Sequence, residues 1–104
     1  MVIFAQVALT AAGQKLSTIL GVADNSVAAS VCKIRLQLAS TATGPFLVQG
    51  TNANYSATGI GISRTVSQEY LLEDQSNKNS LHLEQYWVSG AHPTDLLNIE
   101  VHQN

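Results

Sequence analysis

The sequence predicts an all-β fold, and in particular a single antiparallel β-sandwich of about seven strands that occupies residues 1–104. Short runs rich in aliphatic and β-branched residues, several of them alternating with polar residues, recur along the whole chain. Gly, Pro, Asn and Asp separate these runs about every eight to fourteen residues, a spacing typical of sandwiches and barrels. At 104 residues the chain is long enough to form one domain with its own core.

Two strands carry the clearest alternation. In Val31–Leu38, apolar residues including Cys32 alternate with Lys33, Arg35 and Gln37, as in a strand with one buried face. The C-terminal run Leu97–Val101 alternates in the same way. The remaining predicted strands, in chain order, are Val2–Leu9, Pro45–Gln49, Ile60–Val66, Glu69–Glu73 and Leu83–Ser89.

Helical spacing is confined to two short segments. Leu16–Leu20 places apolar residues on one face of a helix, but Gly21 ends the run after about one turn. Val27–Ser30 is equally short. We therefore expect these segments to be connectors within a single domain, since no linker, repeat or low-complexity tract divides the chain.

The surface is predicted to be polar mainly through neutral groups. Charged residues make up 12% of the chain, whereas Ser, Thr, Asn and Gln number 33, and the net charge is −2. A chain with this charge has no positive electrostatic potential that would attract the phosphate groups of nucleic acid or anionic lipids. We therefore expect neither nucleic acid nor a membrane as partner. The apolar N-terminus has no basic residue before Lys15, unlike a signal peptide, which favours synthesis in a cytoplasm.

Catalytic chemistry is not evident in the sequence. Cys32 has no disulfide partner and is predicted to be buried and inert. His82, His92 and His102 lie ten residues apart and lack the close pairing of zinc ligands. The run Gly59–Ser63 does not match a G-x-S-x-G nucleophile elbow. We therefore expect no catalytic residue, no metal site and no cofactor.

An acidic cluster precedes a polar run in the second half of the chain. Glu69, Glu73 and Asp74 would suit a hard cation, and Asp74–Asn79 has oxygen-bearing side chains at alternating positions. The run lacks the Gly and the distal Glu of a calcium loop, and Lys78 adds a positive charge. A hydrophilic turn is therefore the favoured interpretation.

Three aromatic residues are candidates for an interface. Tyr86 and Trp87 are neighbours in a predicted strand, so they point to opposite faces and only one can enter the core. The other would be either a rim residue under a loop or an anchor in a subunit contact. Tyr55 lies in an Asn-rich loop and would serve a carbohydrate-binding surface together with Tyr86 or Trp87.

Several short motifs together resemble a family of small all-β bacteriophage structural proteins. The opening Val7–Leu16, continued through Leu20-Gly21, is similar to the entry strand and following turn of that family. The other matching stretches are Thr43–Gly50, Thr58–Gly61, Gln85–Gly90 and Asp95–Val101. Between Arg64 and Ser80 the chain departs from the family pattern, because a longer polar loop replaces a Gly-rich acidic turn.

The resemblance implies a virion accessory protein without catalytic residues. Capsid cement or decoration proteins of this kind bind the repeating head surface, and head–tail or tail accessory proteins are the related alternative. The resemblance implies major capsid protein and other virion proteins as partners, and location in the virion after synthesis in the host cytoplasm. We expect a symmetric homo-oligomer because Tyr86 and Trp87 cannot both be buried in one subunit and 45% of the residues are hydrophobic. The resemblance implies that this oligomer is a trimer. A carbohydrate-binding or receptor-binding sandwich module and a small hydrolase are the competing hypotheses.

Overall fold

Two four-stranded antiparallel sheets and a two-stranded ladder make up the computed structural model, which describes residues 1–104. The chain is 39% strand and 11% helix. The ten strands are β1 (Val2–Ala8), β2 (Gln14–Lys15), β3 (Ser30–Val31), β4 (Lys33–Leu38), β5 (Phe46–Gln49), β6 (Ile62–Arg64), β7 (Tyr70–Glu73), β8 (Leu81–His82), β9 (Trp87–Gly90) and β10 (Leu96–His102). The helical segments are α1 (Leu16–Leu20) and single 3-10 turns at Val27–Ala29 and Leu83–Gln85.

The first sheet has the order β1-β10-β4-β7, and the second has the order β2-β9-β5-β6. The ladder pairs β3 with β8. Both terminal strands belong to the first sheet, where β1 pairs with β10 along its full length, from Val2–His102 to Ala8–Leu96. The N-terminal strand therefore forms one edge of that sheet and β7 forms the other.

The core lies between the inner faces of the two large sheets. Along β4, Ile34, Leu36 and Leu38 are at most 3% exposed, while the residues between them are partly exposed. Phe46 and Val88 contribute from the second sheet and belong to the same apolar cluster. The apolar positions of the predicted alternation are therefore the positions that the fold buries.

Each predicted strand has a counterpart, but a single sandwich of about seven strands is not confirmed because ten strands in three sheets are present. A bend at Cys32 separates β3 from β4 within the predicted strand Val31–Leu38. The 3-10 turn Leu83–Gln85 occupies the start of the predicted strand Leu83–Ser89, so that β8 and β9 lie on either side of it. The strand β2 has only two residues, too few to give a period-two signal.

The predicted connector helix is confirmed at Leu16–Leu20. Gly21 follows it with a positive φ of 70°, and its backbone N–H donates to the Thr18 carbonyl at 3.1 Å. Glycine adopts this left-handed conformation without the steric cost that a Cβ imposes, so it ends the helix after little more than one turn.

Asp95 ties the start of β10 to the turn that precedes β5. Its carboxylate accepts hydrogen bonds from the backbone N–H groups of Thr43 at 3.1 Å and Gly44 at 2.7 Å. Its carbonyl accepts a further bond from the N–H of Leu9. Since Gly44 is buried, the carboxylate satisfies a donor that water reaches poorly.

We expect Asp95→Ala to lower the free energy of unfolding by about 1–3 kcal/mol, because two backbone donors lose their acceptor. Urea denaturation monitored by tryptophan fluorescence would measure the change. Asp95→Asn is the matched control, since it keeps one acceptor oxygen and should lose less. Equal stability of wild type and Asp95→Ala would contradict the role given to the carboxylate.

Candidate binding surface

The outer face of the first sheet carries a transverse row of side chains contributed by all four strands. Phe4 pairs with Glu100, Glu100 with Arg35, and Arg35 with Leu71 across the successive ladders. Phe4 is 75% exposed and Leu71 is 46% exposed. The row therefore has apolar ends and a charged centre, and we call it the outer row.

Ion pairs connect the charged residues at the centre of the outer row to their neighbours. The Arg35 guanidinium lies 2.5 Å from the Glu69 carboxylate and 3.8 Å from that of Glu100. The Glu100 carboxylate also lies 2.6 Å from Nε2 of His102 and 4.0 Å from the ammonium group of Lys33. Positive and negative groups are thus interspersed, so the face has little net charge.

The pKa of Glu100 is lowered below its ordinary value. The hydrogen bond with His102 is the largest cause, and the positive charges of His102, Arg35 and Lys33 add to it against a smaller opposing effect of desolvation. The ionised carboxylate is the favoured form on this surface.

We expect the stability supplied by Glu100 to be present above its ordinary pKa of 4.5 and to disappear as the pH falls below that value. The folded-state pKa is the lower one, so the unfolded chain takes up the proton first. Glu100→Gln should therefore be less stable than wild type near pH 6, and the difference should shrink as the pH falls below 4.5. Urea titrations at several pH values would measure it, and a pH-independent difference would contradict this account.

A shallow depression of about 320 Å³ lies beside the outer row. Phe4 borders it, and the polar groups of Arg35, Gln37, Asn98 and Glu100 line its floor. Asn98 accepts a hydrogen bond at 2.8 Å from the side-chain amide of Gln6, which fixes the orientation of both amides. This combination of one aromatic ring with amides and charges suits the binding of a polar surface that carries an apolar protrusion.

Tyr86 and Trp87 are both partly buried. Tyr86 packs against the apolar core, and burial raises the pKa of its hydroxyl, with a smaller contribution from Tyr70. The Lys15 ammonium group lies 5.4 Å from the centroid of the Trp87 ring, within range of a cation–π contact. Trp87 lines a second cleft of about 490 Å³, together with Val7, Ile19 and other residues of β1, β2 and α1.

Tyr55 lies in the loop between β5 and β6 and is partly buried. Its backbone N–H donates to the carbonyl of Ala11 at 2.6 Å, which fixes this loop against the segment after β1. Tyr55 lines neither the depression beside the outer row nor the cleft next to Trp87. The structure therefore does not bring the three predicted interface residues together in one pocket.

Cys32 is buried, as predicted, with 9% of its surface exposed. Its thiol donates to the carbonyl of His102 at 3.3 Å. The side chain of His82 lies near Ser30 and Glu84, whereas that of His102 is bound to Glu100. No group of three or more His, Cys, Asp or Glu side chains is placed so that it could hold a metal ion.

The acidic turn after β7 is closed by its own hydroxyl groups. The Asp74 carboxylate accepts hydrogen bonds from the side chains of Ser76 and Ser80 and from the backbone N–H of Ser76. These bonds lower the pKa of Asp74, with that from the Ser76 side chain contributing most. The carboxylate thus serves to stabilise the turn.

Sequence reasoning did not single out Phe4, Arg35 and Leu71 as members of one surface. The alternation in Val2–Leu9 was visible, but both sets of residues are largely apolar, so the pattern does not reveal which face is exposed. Gln6 does indicate the exposed face, because it is the one polar residue of β1 and its side chain lies on the same face of the strand as that of Phe4.

Comparison with known proteins finds no matching family model, no matching curated protein and no matching solved structure. None of the helices is sufficiently long and apolar to span a lipid bilayer.

Proposed function

We propose that this chain is a non-enzymatic structural protein of a bacteriophage virion, and specifically a capsid cement or decoration protein. It binds the major capsid protein on the head surface through the outer row and its surroundings. It acts as a symmetric homo-oligomer and resides in the virion after synthesis in the host cytoplasm. In this proposal the two large sheets form one β-sandwich, and the β3–β8 ladder extends it at one end.

The exposure of Phe4 on a sheet surface is the observation that carries the proposal. A 75% exposed Phe side chain in a regular strand costs solubility and contributes little to the core. Aromatic and arginine side chains are enriched among residues that dominate protein interfaces, and here Phe4 lies in the same row as Arg35. Because β10 and β4 hold this row from inside the sheet, the surface is preorganised for binding.

The low net charge of the outer row is consistent with dense packing on a particle. Copies that lie side by side on a capsid must not repel one another strongly. Lys33 and Arg35 nearly balance the negative charges of this face, which come from Glu69, Glu73 and Glu100. Binding would therefore depend on shape and on buried apolar area more than on long-range attraction.

The motifs that resemble phage proteins lie at turns and in the core. Asp95 and the Thr43-Gly44 pair belong to two different motifs, and hydrogen bonds join them. The buried residues Leu97, Ile99 and Val101 complete the C-terminal motif. The resemblance is thus carried by residues that build the scaffold, which leaves the exposed outer row free to determine the partner.

A carbohydrate-binding or receptor-binding module is the second candidate. The depression beside Phe4 favours it, because sugars bind to an aromatic ring surrounded by amide and carboxylate groups. A position at the head–tail junction or on the tail is compatible with the same outer row, since it also requires binding to a protein surface.

Binding to purified particles tests the proposal. Particles of the phage that encodes this chain would be purified on a density gradient, and isolated heads and tails would be incubated with labelled protein. We expect saturable binding to heads and none to tails. Binding to tails alone would support the accessory alternative. Binding on a glycan array without binding to either particle part would support the carbohydrate-binding module and contradict the cement proposal.

A further inference from the structure

The strand β1 has one paired edge and one free edge. Met1 and Gln103 exchange two backbone hydrogen bonds, each 2.8 Å long, and the N–H of Leu9 donates to Asp95 at 2.8 Å. Hydrogen-bonded pairs alternate along an antiparallel ladder, so every odd-numbered residue of β1 bonds to β10. Val2, Phe4, Gln6 and Ala8 therefore direct their N–H and C=O groups away from the sheet.

This free edge lacks the features that normally prevent strand pairing. It is seven residues long and contains no charged residue, no proline and no glycine. The other edge strands of the two large sheets, β2, β6 and β7, have two, three and four residues, and each contains a charged residue, namely Lys15, Arg64 or Glu73. The strands of the β3–β8 ladder have only two residues each. Among the sheet edges, β1 is thus the one that is suited to receive another strand.

The core is also incompletely covered at this edge. Leu97, Ile99 and Val101 on β10 are at most 2% exposed. Their partners across the ladder, Val7, Ala5 and Ile3, point to the same inner face but remain partly exposed. A further strand with apolar inner residues would bury them.

We infer that β1 pairs antiparallel with β1 of a second copy of this chain, about a two-fold axis through Ala5. In this register Val2 lies opposite Ala8 of the second copy, and Phe4 lies opposite Gln6. Every outward N–H and C=O group of the strand then has a partner, and the two first sheets join into one continuous sheet. On the inner face, Ile3 packs against Val7 of the second copy.

Two features favour a second copy over a different strand. Two-fold pairing places the strand opposite its own copy, and β1 tolerates this because it contains no charged residue that would meet a like charge. The cleft lined by Val7, Ile19 and Trp87 lies beside the free edge, and Ile3 of the second copy would enter it. The inference rests on the homo-oligomer in the proposed function, and it replaces the trimer that the resemblance implies with a two-fold dimer.

Cysteine crosslinking with a matched control tests the register. In Ala5→Cys the two new thiols would meet on the axis, where a non-hydrogen-bonded pair has Cα atoms about 4.5 Å apart, within the range of a disulfide. In Ala8→Cys the two thiols would lie about 20 Å apart, six residues away along the strands. Under mild oxidation, we expect dimers from Ala5→Cys and monomers from Ala8→Cys on a non-reducing gel. Crosslinking of both variants, or of neither, would overturn the inference.

A second pair of variants tests the backbone contact without a new thiol. Gln6→Pro removes an outward N–H group and leaves the backbone bonds to β10 intact, whereas Gln6→Ala keeps that N–H group. Both variants lose the side-chain bond from Gln6 to Asn98, so the comparison between them isolates the N–H group. Sedimentation velocity should show a dimer for wild type and Gln6→Ala, and a dissociation constant at least about ten-fold higher for Gln6→Pro. A wild-type monomer or trimer, or an equally stable Gln6→Pro dimer, would contradict the β1 contact. These measurements use no phage particles, so their failure is distinguishable from a failure to bind capsids.

Discussion

Phe46→Ala is expected to lower the free energy of unfolding by about 3–5 kcal/mol. Phe46 is fully buried on β5 and is the largest of the fully buried side chains. It belongs to the cluster that both large sheets share, so its removal would leave a cavity that the surrounding strands cannot readily fill. Urea denaturation at neutral pH, monitored by circular dichroism, would measure the loss.

Phe4→Ala is the matched control, because it removes the same side chain from an exposed position. With 75% of Phe4 exposed, we expect the free energy of unfolding to change by no more than about 0.5 kcal/mol. Similar losses at both positions would contradict the assignment of Phe46 to the core and of Phe4 to the surface.

The same Phe4→Ala variant is expected to bind particles at least about thirty-fold more weakly than wild type, which corresponds to about 2 kcal/mol for the loss of a central aromatic contact. The variant should keep its fold and its dimer, because the backbone of Phe4, and not its ring, makes the proposed β1 contact. Titration of labelled protein against purified heads would measure the affinity.

Ile60→Ala is the control for nonspecific apolar contact. Ile60 is 95% exposed and precedes β6 in the second sheet, so it lies outside the outer row. Its replacement should leave the affinity for particles within about two-fold of wild type. If Ile60→Ala weakened binding and Phe4→Ala did not, the binding surface would lie on the second sheet and the assignment of the outer row would be wrong.

Local patterns predicted the strands well and their interruptions poorly. The alternation from Lys33 to Leu38 appears unchanged in the burial of β4, because one face of that strand is in the core and the other is in water. The bend at Cys32 and the turn Leu83–Gln85 depend on the strands that pair with these segments. Those strands are distant in the sequence, so the local pattern does not predict the interruptions. Hence the positions of most strands along the chain could be predicted, whereas their number and their order in the sheets could not.

The outer row could not be predicted from the sequence either, because strand pairing is nonlocal. Phe4, Arg35 and Leu71 become neighbours only through the pairing of β1, β10, β4 and β7, which are far apart in the chain. Tyr86 and Trp87 were singled out because adjacent strand residues face opposite sides. The turn at Leu83–Gln85 lies just before them, and both rings are partly buried. Whether either contributes to an interface stays a prediction.

Cryo-electron microscopy of the particle that carries this chain would show whether the chain lies on the head. We expect density for the chain at repeated positions on the head surface, with Phe4 and the outer row facing the major capsid protein. We also expect the copies to be arranged in pairs across β1. Absence of the chain from heads, or a bound chain whose outer row faces solvent, would contradict the proposed function.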